Sequence, residues 1–178
     1  MIIEETERLI IKEIELNEAK EASGLLSLFP CETEKSYTSE MVEAYIKLAY
    51  GFYGYGYWGV YERETNSLVG IAGFREGSFP LEAGYVFREE SRNKGYATEA
   101  LKALVRFAEE EFMWVIEEQE EDEQKGKPLK DIKPESKEQR VYVITKRDKV
   151  LLYGRTMADN IQSQRVMLKN GFLEVKGE

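Results

Sequence analysis

Histidine is absent from this sequence and cysteine occurs once, and both shortages restrict the chemistry available to it. Without histidine, the chain has no Ser-His-Asp triad, no Cys-His dyad and no histidine-ligated metal. The lone Cys31 excludes an intrachain disulfide and a multi-cysteine zinc site. Proton transfer must therefore use carboxylates, tyrosine, lysine, Cys31, backbone groups or water, and we expect no metal cofactor.

Long apolar runs are missing as well. No stretch approaches the roughly 20 apolar residues that span a bilayer, and MIIEETERLI has acidic residues where a secretory signal would be basic. We therefore expect a cytoplasmic protein with no membrane partner. A length of 178 residues suffices for one domain with a sizeable core, and we expect residues 1–178 to form a single domain.

Negative charge is plentiful but unevenly distributed. The formal net charge is −9, and residues 109–138 contribute twelve acids and five lysines, a net charge of −7. This acidity argues against a nucleic-acid partner, because nucleic-acid binders usually carry a basic face. For the acidic stretch 117–123, two interpretations stay open: a solvated surface, which is the more typical, or a region that attracts a cationic acceptor.

Hydrophobic patterning divides the chain into strands and helices. Residues 8–14 predict a first strand, and residues 17–50 predict two helices broken at Pro30. A hairpin signal and the run LEAGYVF then predict an antiparallel meander. A helix from Ala97 follows, then an acidic insertion at about 113–140, a second hairpin (RVYVITK and KVLLYGRTM), a short helix between Asn160 and Gly171, and a last strand, FLEV.

The stretch RNKGYATEA, residues 92–100, stands between a predicted strand and a predicted helix. Unpaired backbone N–H groups and the helix dipole attract an anion at such a point, and Gly95 lets a ligand approach the backbone closely. Arg92 and Lys94 add positive charge, and Thr98 adds a hydroxyl. Taken alone, the pattern is more typical of a surface loop leading into a helix.

The surrounding segments resemble the GNAT acetyltransferase superfamily. RNKGYATEA fits the family motif Arg/Gln-x-x-Gly-x-Gly/Ala and follows a predicted fourth strand, where the family places it. TERLIIKEI resembles the first strand of the branch that acetylates ribosomal-protein N-termini and related amines. LEAGYVF resembles the family's fourth strand, and ADNIQSQRVMLKNGF resembles its Asn-x-x-Ser helix. The resemblance covers most of residues 6–108 and 151–175.

The resemblance implies an α+β fold with α/β/α layers and a mixed, mostly antiparallel central sheet of about six to seven strands. That sheet would splay between the fourth and fifth family strands. The resemblance also implies acetyl-CoA as co-substrate, with its pyrophosphate on the backbone of residues 93–97 and its pantetheine arm paired, like an added strand, with the backbone of Val86 and Phe87. The implied cofactor-binding residues are Val86, Phe87, Arg92, Asn93, Lys94, Gly95, Tyr96, Ala97, Thr98, Asn160 and Ser163.

The implied activity is transfer of an acetyl group to a primary amine, on a protein N-terminus or a small molecule, by direct attack. Glu82 matches a family glutamate and is the candidate base; pairing with a surface cation is an equally plausible role. Ser163 is the candidate donor to the thiolate, although capping by Asn160 and an exposed Ser163 would explain the same residues. The alternative functions are an inactive CoA-binding regulatory or scaffold module and an acidic interaction protein without a ligand.

The sequence departs from the family near its end. About forty residues separate Phe112 from Leu151, where the family has few, and the chain stops just after the sixth family strand. We predict that RVYVITK occupies the slot of the missing seventh strand, between the fifth and the sixth. The competing possibility is that a second chain fills this slot; we therefore expect either a monomer or a homodimer.

Overall fold

The computed structural model describes residues 1–29, 37–75, 80–118, 132–146 and 149–176. Its strands are β1 (Ile2–Glu5), β2 (Leu9–Lys12), β3 (Tyr57–Glu62), β4 (Leu68–Phe74), β5 (Leu81–Phe87), β6 (Gln139–Lys146), β7 (Lys149–Met157) and β8 (Leu173–Glu174). Its helices are α1 (Ala19–Leu26), α2 (Ser39–Phe52), α3 (Tyr96–Glu118) and α4 (Ile161–Lys169), with single 3₁₀ turns at Leu16–Glu18 and Glu89–Ser91.

The described strands form one sheet in the order β1-β2-β3-β4-β5-β7-β6-β8. Every neighbouring pair is antiparallel except β5 and β7, which run parallel. The predicted fold class is therefore confirmed. The sheet has eight strands rather than six or seven, because Ile2–Glu5 folds back on β2 and adds an edge strand ahead of the predicted first one.

Helices cover both faces of the sheet, as the α/β/α expectation requires. Side chains alternate along each strand, so that Trp58 and Val60 of β3 face α3 whereas Tyr61, after a bulge, faces α1. The apolar stripe that predicted α3 packs on the first face, through Ala100, Leu101, Leu104 and Ala108. The second face is covered by α1 and α2, through Ala19, Ala22, Leu25, Leu26 and Val42.

The parallel strands β5 and β7 meet at one end only. They are paired at Leu81 with Leu152 and at Glu82 with Tyr153, and no further pair follows along β5. Beyond this point the two strands diverge, so the carboxyl half of β5 has a strand partner on its β4 side alone. The predicted splay between the fourth and fifth family strands is thereby confirmed.

Strand β6 lies between β7 and β8 and is antiparallel to both. Val143, for example, stands opposite Tyr153 on one side and Leu173 on the other. A buried cluster fastens β6 to β7, through Ile132, Val141, Val143, Val150 and Tyr153. The predicted use of RVYVITK to fill the missing-strand slot is confirmed, and the sheet needs no second chain at this position.

Some predicted features fall outside the described residues, among them the break at Pro30, Cys31, and the acidic residues 119–131 of the insertion. Within the described part, α3 continues to Glu118 and thus extends into the acidic stretch. None of the helices in the described ranges combines the length and the apolar character needed to cross a membrane.

The position of β6 predicts a hydrogen-exchange pattern. The backbone hydrogen bonds of a strand that is paired on both sides open only when the sheet unfolds, whereas those of an edge strand open locally. Amide hydrogens of residues 141–144 should therefore exchange as slowly as those of residues 151–153, and residues 2–5 of the edge strand β1 should exchange faster. Exchange of residues 141–144 at the rate of residues 2–5 would contradict the assignment.

Candidate functional site

A cavity of about 490 Å³ opens where β5 and β7 diverge. Its size is typical of small-molecule sites. The walls come from the end of β5, the glycine loop, the first turn of α3 and one side of α4, with Leu28 and Phe29 closing it from the α1 side. The divergence of two strands thus creates a space that three separate segments line.

All the predicted cofactor-binding residues except Lys94 line this cavity. The Lys94 ammonium instead lies 5.9 Å from the centre of the Tyr96 ring, outside the cavity wall. Glu82 is also absent from the lining. The lining residues that the sequence analysis missed are Leu28, Phe29, Tyr85, Ser91, Gln162, Arg165, Val166 and Lys169. Helical spacing from Ser163 could have indicated Val166 and Lys169, which lie three and six residues further along α4.

The glycine loop has the backbone shape that an anion site needs. Asn93 and Gly95 both have positive φ, 60° and 83°, which turns the chain sharply before α3 begins. The first bond of the helix runs from the Glu99 N–H to the Gly95 carbonyl, 3.1 Å. The N–H groups of residues 96–98 precede that bond and have no carbonyl one turn earlier, and all three residues line the cavity.

Arg8 of the β1–β2 turn clamps the loop from outside the cavity. Its Nη1 donates to the Lys94 carbonyl at 2.8 Å, its Nε donates to Glu99 at 2.7 Å, and its guanidinium lies 4.9 Å from the Tyr96 ring centre. Burial opposes the charge on Glu99, but hydrogen bonds from Thr6 and Arg8 outweigh it and lower the pKa of Glu99. The loop conformation is therefore supported by charged contacts that leave the cavity side open.

The register of β5 on β4 decides which backbone groups of β5 face the opening, and Arg92 bonds to one of them. The Arg92 Nε donates to the Phe87 carbonyl at 3.1 Å. In the backbone, the Glu82 carbonyl accepts from the Arg75 N–H, and the Arg88 N–H donates to the Val69 carbonyl, so both residues pair with β4. Alternate residues of β5 between Glu82 and Arg88, including Val86, therefore also direct their backbone groups toward β4. The expectation that the Val86 backbone pairs with a ligand is thus corrected: Tyr85 and Phe87 present theirs to the opening, and Val86 only borders the cavity.

Ser163 and Tyr85 meet inside the cavity. Their hydroxyl oxygens are 2.8 Å apart, and the Tyr85 hydroxyl also donates to the Ser163 carbonyl at 3.2 Å. Asn160 caps α4 by accepting from the Ser163 N–H at 3.1 Å, as the capping interpretation expected. Ser163 is partly buried rather than exposed, and Tyr85 orients its hydroxyl.

Glu82 belongs to an ion-pair network at the point where β5 and β7 are joined. Its carboxylate lies 3.4 Å from the Arg155 Nε and 3.6 Å from Arg75 Nη1, and it accepts from the Tyr153 hydroxyl at 3.1 Å. Arg155 also donates to Glu135 at 2.6 Å. Burial, with the nearby Glu82 charge adding to it, raises the pKa of Tyr153. The pairing role considered for Glu82 is therefore present in the structure.

Tyr85 predicts a specific dependence of stability on alkaline pH. Burial raises its pKa from 10.0 to about 12, although the bond to Ser163 opposes this shift. Between pH 10 and 12 the native state keeps a proton that the unfolded state loses, so the free energy of unfolding falls by up to about 1.4 kcal/mol per pH unit for this group. Urea unfolding of Tyr85→Phe should show a shallower decline over this window and an unchanged slope between pH 7 and 9. Parallel declines of the two proteins above pH 10 would contradict the buried, protonated phenol.

Comparison with known proteins identifies the architecture. The sequence matches the family model of the acetyltransferase (GNAT) domain over residues 8–173. Among curated proteins, none matches the sequence.

Three solved structures illustrate the similarity of fold. A Vibrio cholerae protein described as a ribosomal-protein-serine acetyltransferase has 22% identity and a TM-score of 0.56, covering 96% of this chain and 82% of that one. RimL, a ribosomal L7/L12 alpha-N-protein acetyltransferase solved with coenzyme A, has 16% identity, a TM-score of 0.57 and the same coverage. A variant of the spermidine N-acetyltransferase SpeG from Vibrio cholerae has 13% identity and a TM-score of 0.60, covering 96% and 83%. With the family model spanning nearly the whole sequence, the resemblance seen in the motifs is confirmed: the chain belongs to the GNAT acetyltransferase family.

Proposed function

We propose that this chain is an N-acetyltransferase that moves an acetyl group from acetyl-CoA to a primary amine, with residues 1–178 acting as one domain. The observation that carries the proposal is the cavity itself, which brings an unpaired strand edge, a helix start and the Ser163 hydroxyl into one space. A fold neighbour solved with coenzyme A and another that acetylates spermidine support the donor and the acceptor class.

The glycine loop and the start of α3 would hold the pyrophosphate. Three N–H groups at residues 96–98 and the positive end of the helix dipole converge on the cavity, and Arg92 adds a full charge. These are local, oriented charges, so they outweigh the diffuse field of distant carboxylates, which salt screens over about 8–10 Å. An acidic protein can bind a polyanion in this way.

The open edge of β5 would hold the pantetheine arm as an added strand. Tyr85 and the Phe87 N–H direct backbone groups at the opening, and amide groups of a bound arm could satisfy them in place of the missing β7 pairing, while the Phe87 carbonyl accepts from Arg92. Asn160, at the start of α4, would lie on the opposite wall of the same channel. The thioester then comes near Ser163.

The reaction needs an amine that is neutral and a leaving group that can accept a proton. The amine nitrogen attacks the thioester carbonyl carbon, a C–N bond forms, the C–S bond breaks and the thiolate leaves. Ser163 donates a proton or a hydrogen bond to the sulfur, and Tyr85, 2.8 Å away, orients the Ser163 hydroxyl and can return a proton to it. A base on the other side of the carbonyl removes the proton from the amine.

Glu82 is the proposed base, acting directly or through water. Alternation along β5 places Glu82 and Gly84 on the face toward α1 and α2, opposite to Tyr85 in this strand. A Cβ at Gly84 would lie 2.9 Å from the Tyr57 hydroxyl and 3.0 Å from Phe29, so the glycine lets these two side chains pack directly against β5. Because Glu82 lies on this face, the acceptor would enter from the α1–α2 side, and the donor from the side of α4.

A pair of glycines tests donor binding separately from backbone strain. Gly95 and Gly171 have the same φ of 83°, so any side chain at either position costs about 1–2 kcal/mol of stability. Gly95→Glu places a negative charge on the glycine loop next to the proposed phosphate site, with its Cβ 3.3 Å from Arg8 Nη2, whereas Gly171→Glu is the matched control. We expect similar melting temperatures for the two variants, with acetyl-CoA binding lost, by titration calorimetry, only in Gly95→Glu. Wild-type affinity in Gly95→Glu would refute the phosphate site.

Turnover tests the reaction and the role of Glu82. Release of the CoA thiol should follow addition of at least one amine from a panel of polyamines and peptides, and Glu82→Gln should lower kcat about 100-fold without changing the acetyl-CoA dissociation constant. Glu135→Gln is the matched control, because it removes a partner of Arg155 and leaves Glu82 in place. Equal effects of the two variants would reduce Glu82 to an ion-pairing role. Donor binding without turnover by any amine would favour the alternative of an inactive CoA-binding module.

A further inference from the structure

Two cations on the wall of the cavity have no role in the proposed reaction. Arg165 and Lys169 of α4 both line the cavity and are both exposed. They are four residues apart, so they lie on the same side of the helix, one turn from each other. Together with Arg92, they are the charged side chains of a lining that contains no carboxylate among the described residues.

The arginines of this protein divide into two groups by their ion pairing. Across the described ranges, Arg92 and Arg165 have no carboxylate within ion-pair distance, and both line the cavity. Every other described arginine is paired with a glutamate, namely Arg8, Arg63, Arg75, Arg88, Arg106, Arg140 and Arg155. In a chain of net charge −9, cations left without counter-charges inside a cavity point to an anionic ligand.

Contacts at both ends of α4 fix where these two cations lie relative to the glycine loop. The Gln162 amide donates to Asn93 at 3.2 Å, and the Asn170 amide donates to the Thr98 carbonyl at 3.2 Å. Arg165 and Lys169 fall between these two links. They therefore lie beside the first turn of α3. The pyrophosphate would sit at a different position, on the axis of that helix.

We propose that Arg165 and Lys169 form a subsite for the 3′-phosphate of the donor's adenosine, an inference that rests on the proposed use of acetyl-CoA. A phosphomonoester carries between one and two negative charges at neutral pH and has three acceptor oxygens. The helix start and Arg92 serve the pyrophosphate, so the additional phosphate requires its own donors. A planar guanidinium and an ammonium one turn away meet that requirement.

The two cations also have simpler explanations, which the experiment must distinguish from phosphate binding. Lys169 lies in the last turn of α4, where positive charge stabilises the helix dipole, and Arg165 could serve solubility alone. Those roles would affect folding or solubility equally with any donor. A 3′-phosphate subsite, by contrast, distinguishes acetyl-CoA from 3′-dephospho-acetyl-CoA.

The experiment is a cycle of two proteins and two donors, measured by titration calorimetry at fixed salt. We expect the wild type to bind acetyl-CoA at least tenfold more tightly than 3′-dephospho-acetyl-CoA. The double variant Arg165→Gln/Lys169→Gln should lose that preference, weakening acetyl-CoA binding at least tenfold and changing dephospho-donor binding less than twofold. Lys102→Gln/Lys176→Gln is the control for net charge, with both residues exposed outside the cavity lining, and it should retain the preference.

The outcomes separate this subsite from the proposed function. Equal affinity of the wild type for both donors, or an equal loss for both donors in the Arg165→Gln/Lys169→Gln variant, overturns the subsite and leaves acetyl-CoA as the donor. If the wild type binds neither donor, the proposed function fails, and the subsite fails with it. Melting temperatures of the variants within a few degrees of the wild type exclude misfolding as the cause of a lost preference.

Discussion

The divergence of β5 from β7 is the constraint on which the rest of this structure depends. Two adjacent residue pairs, at Leu81 and Glu82, join the strands, and beyond them the β5 backbone faces open space. Buried or half-buried backbone groups require partners, and an unpaired strand edge inside a fold can pair with a ligand that has amide groups of its own. Strands β5 and β7 run parallel, so the segments that follow them leave the sheet at the same end. The glycine loop follows β5 and α4 follows β7, and both therefore lie at the opening.

The two ends of this V-shaped opening are held by different interactions. At the closed end, Glu82, Tyr153 and Arg155 form a charged and hydrogen-bonded network across the strands. At the open end, α4 is tied to the glycine loop and to α3 through Gln162 and Asn170. Strand β6 supports β7 from the far side, where it fills the position between β7 and β8. The opening is thus maintained by the sheet and the helices together.

Much of this arrangement could be predicted from the sequence, because it depends on local signals. Gly95 before an apolar helical stripe predicted the helix start, and Asn160 predicted the cap of α4. Long-range contacts could not be predicted in this way. Nothing near Arg8 in the sequence indicates that it clamps a loop at Lys94, and nothing near Tyr85 indicates its bond to Ser163. The direction of the Val86 backbone required the register of β5 on β4, since a shift of one residue would reverse it.

Charge placement explains how the same chain is acidic overall and cationic where it would bind its donor. The glutamates outside the cavity neutralise most arginines in pairs, including the Arg8 clamp with Glu99. The cations on the cavity wall lack such partners among the described residues, so their field is directed into the cavity. Net charge therefore gives little information about the sign of a site that occupies a small part of the surface.

Amide chemical shifts during a titration with coenzyme A test the central claim most directly, because the account assigns binding to particular backbone groups. We predict the largest shift changes at Tyr85, at Phe87 and at residues 95–98, with small changes at Val86 relative to its neighbours. Changes confined to another, smaller cavity, which Glu62 and Arg63 line, or no changes at all, would contradict this assignment.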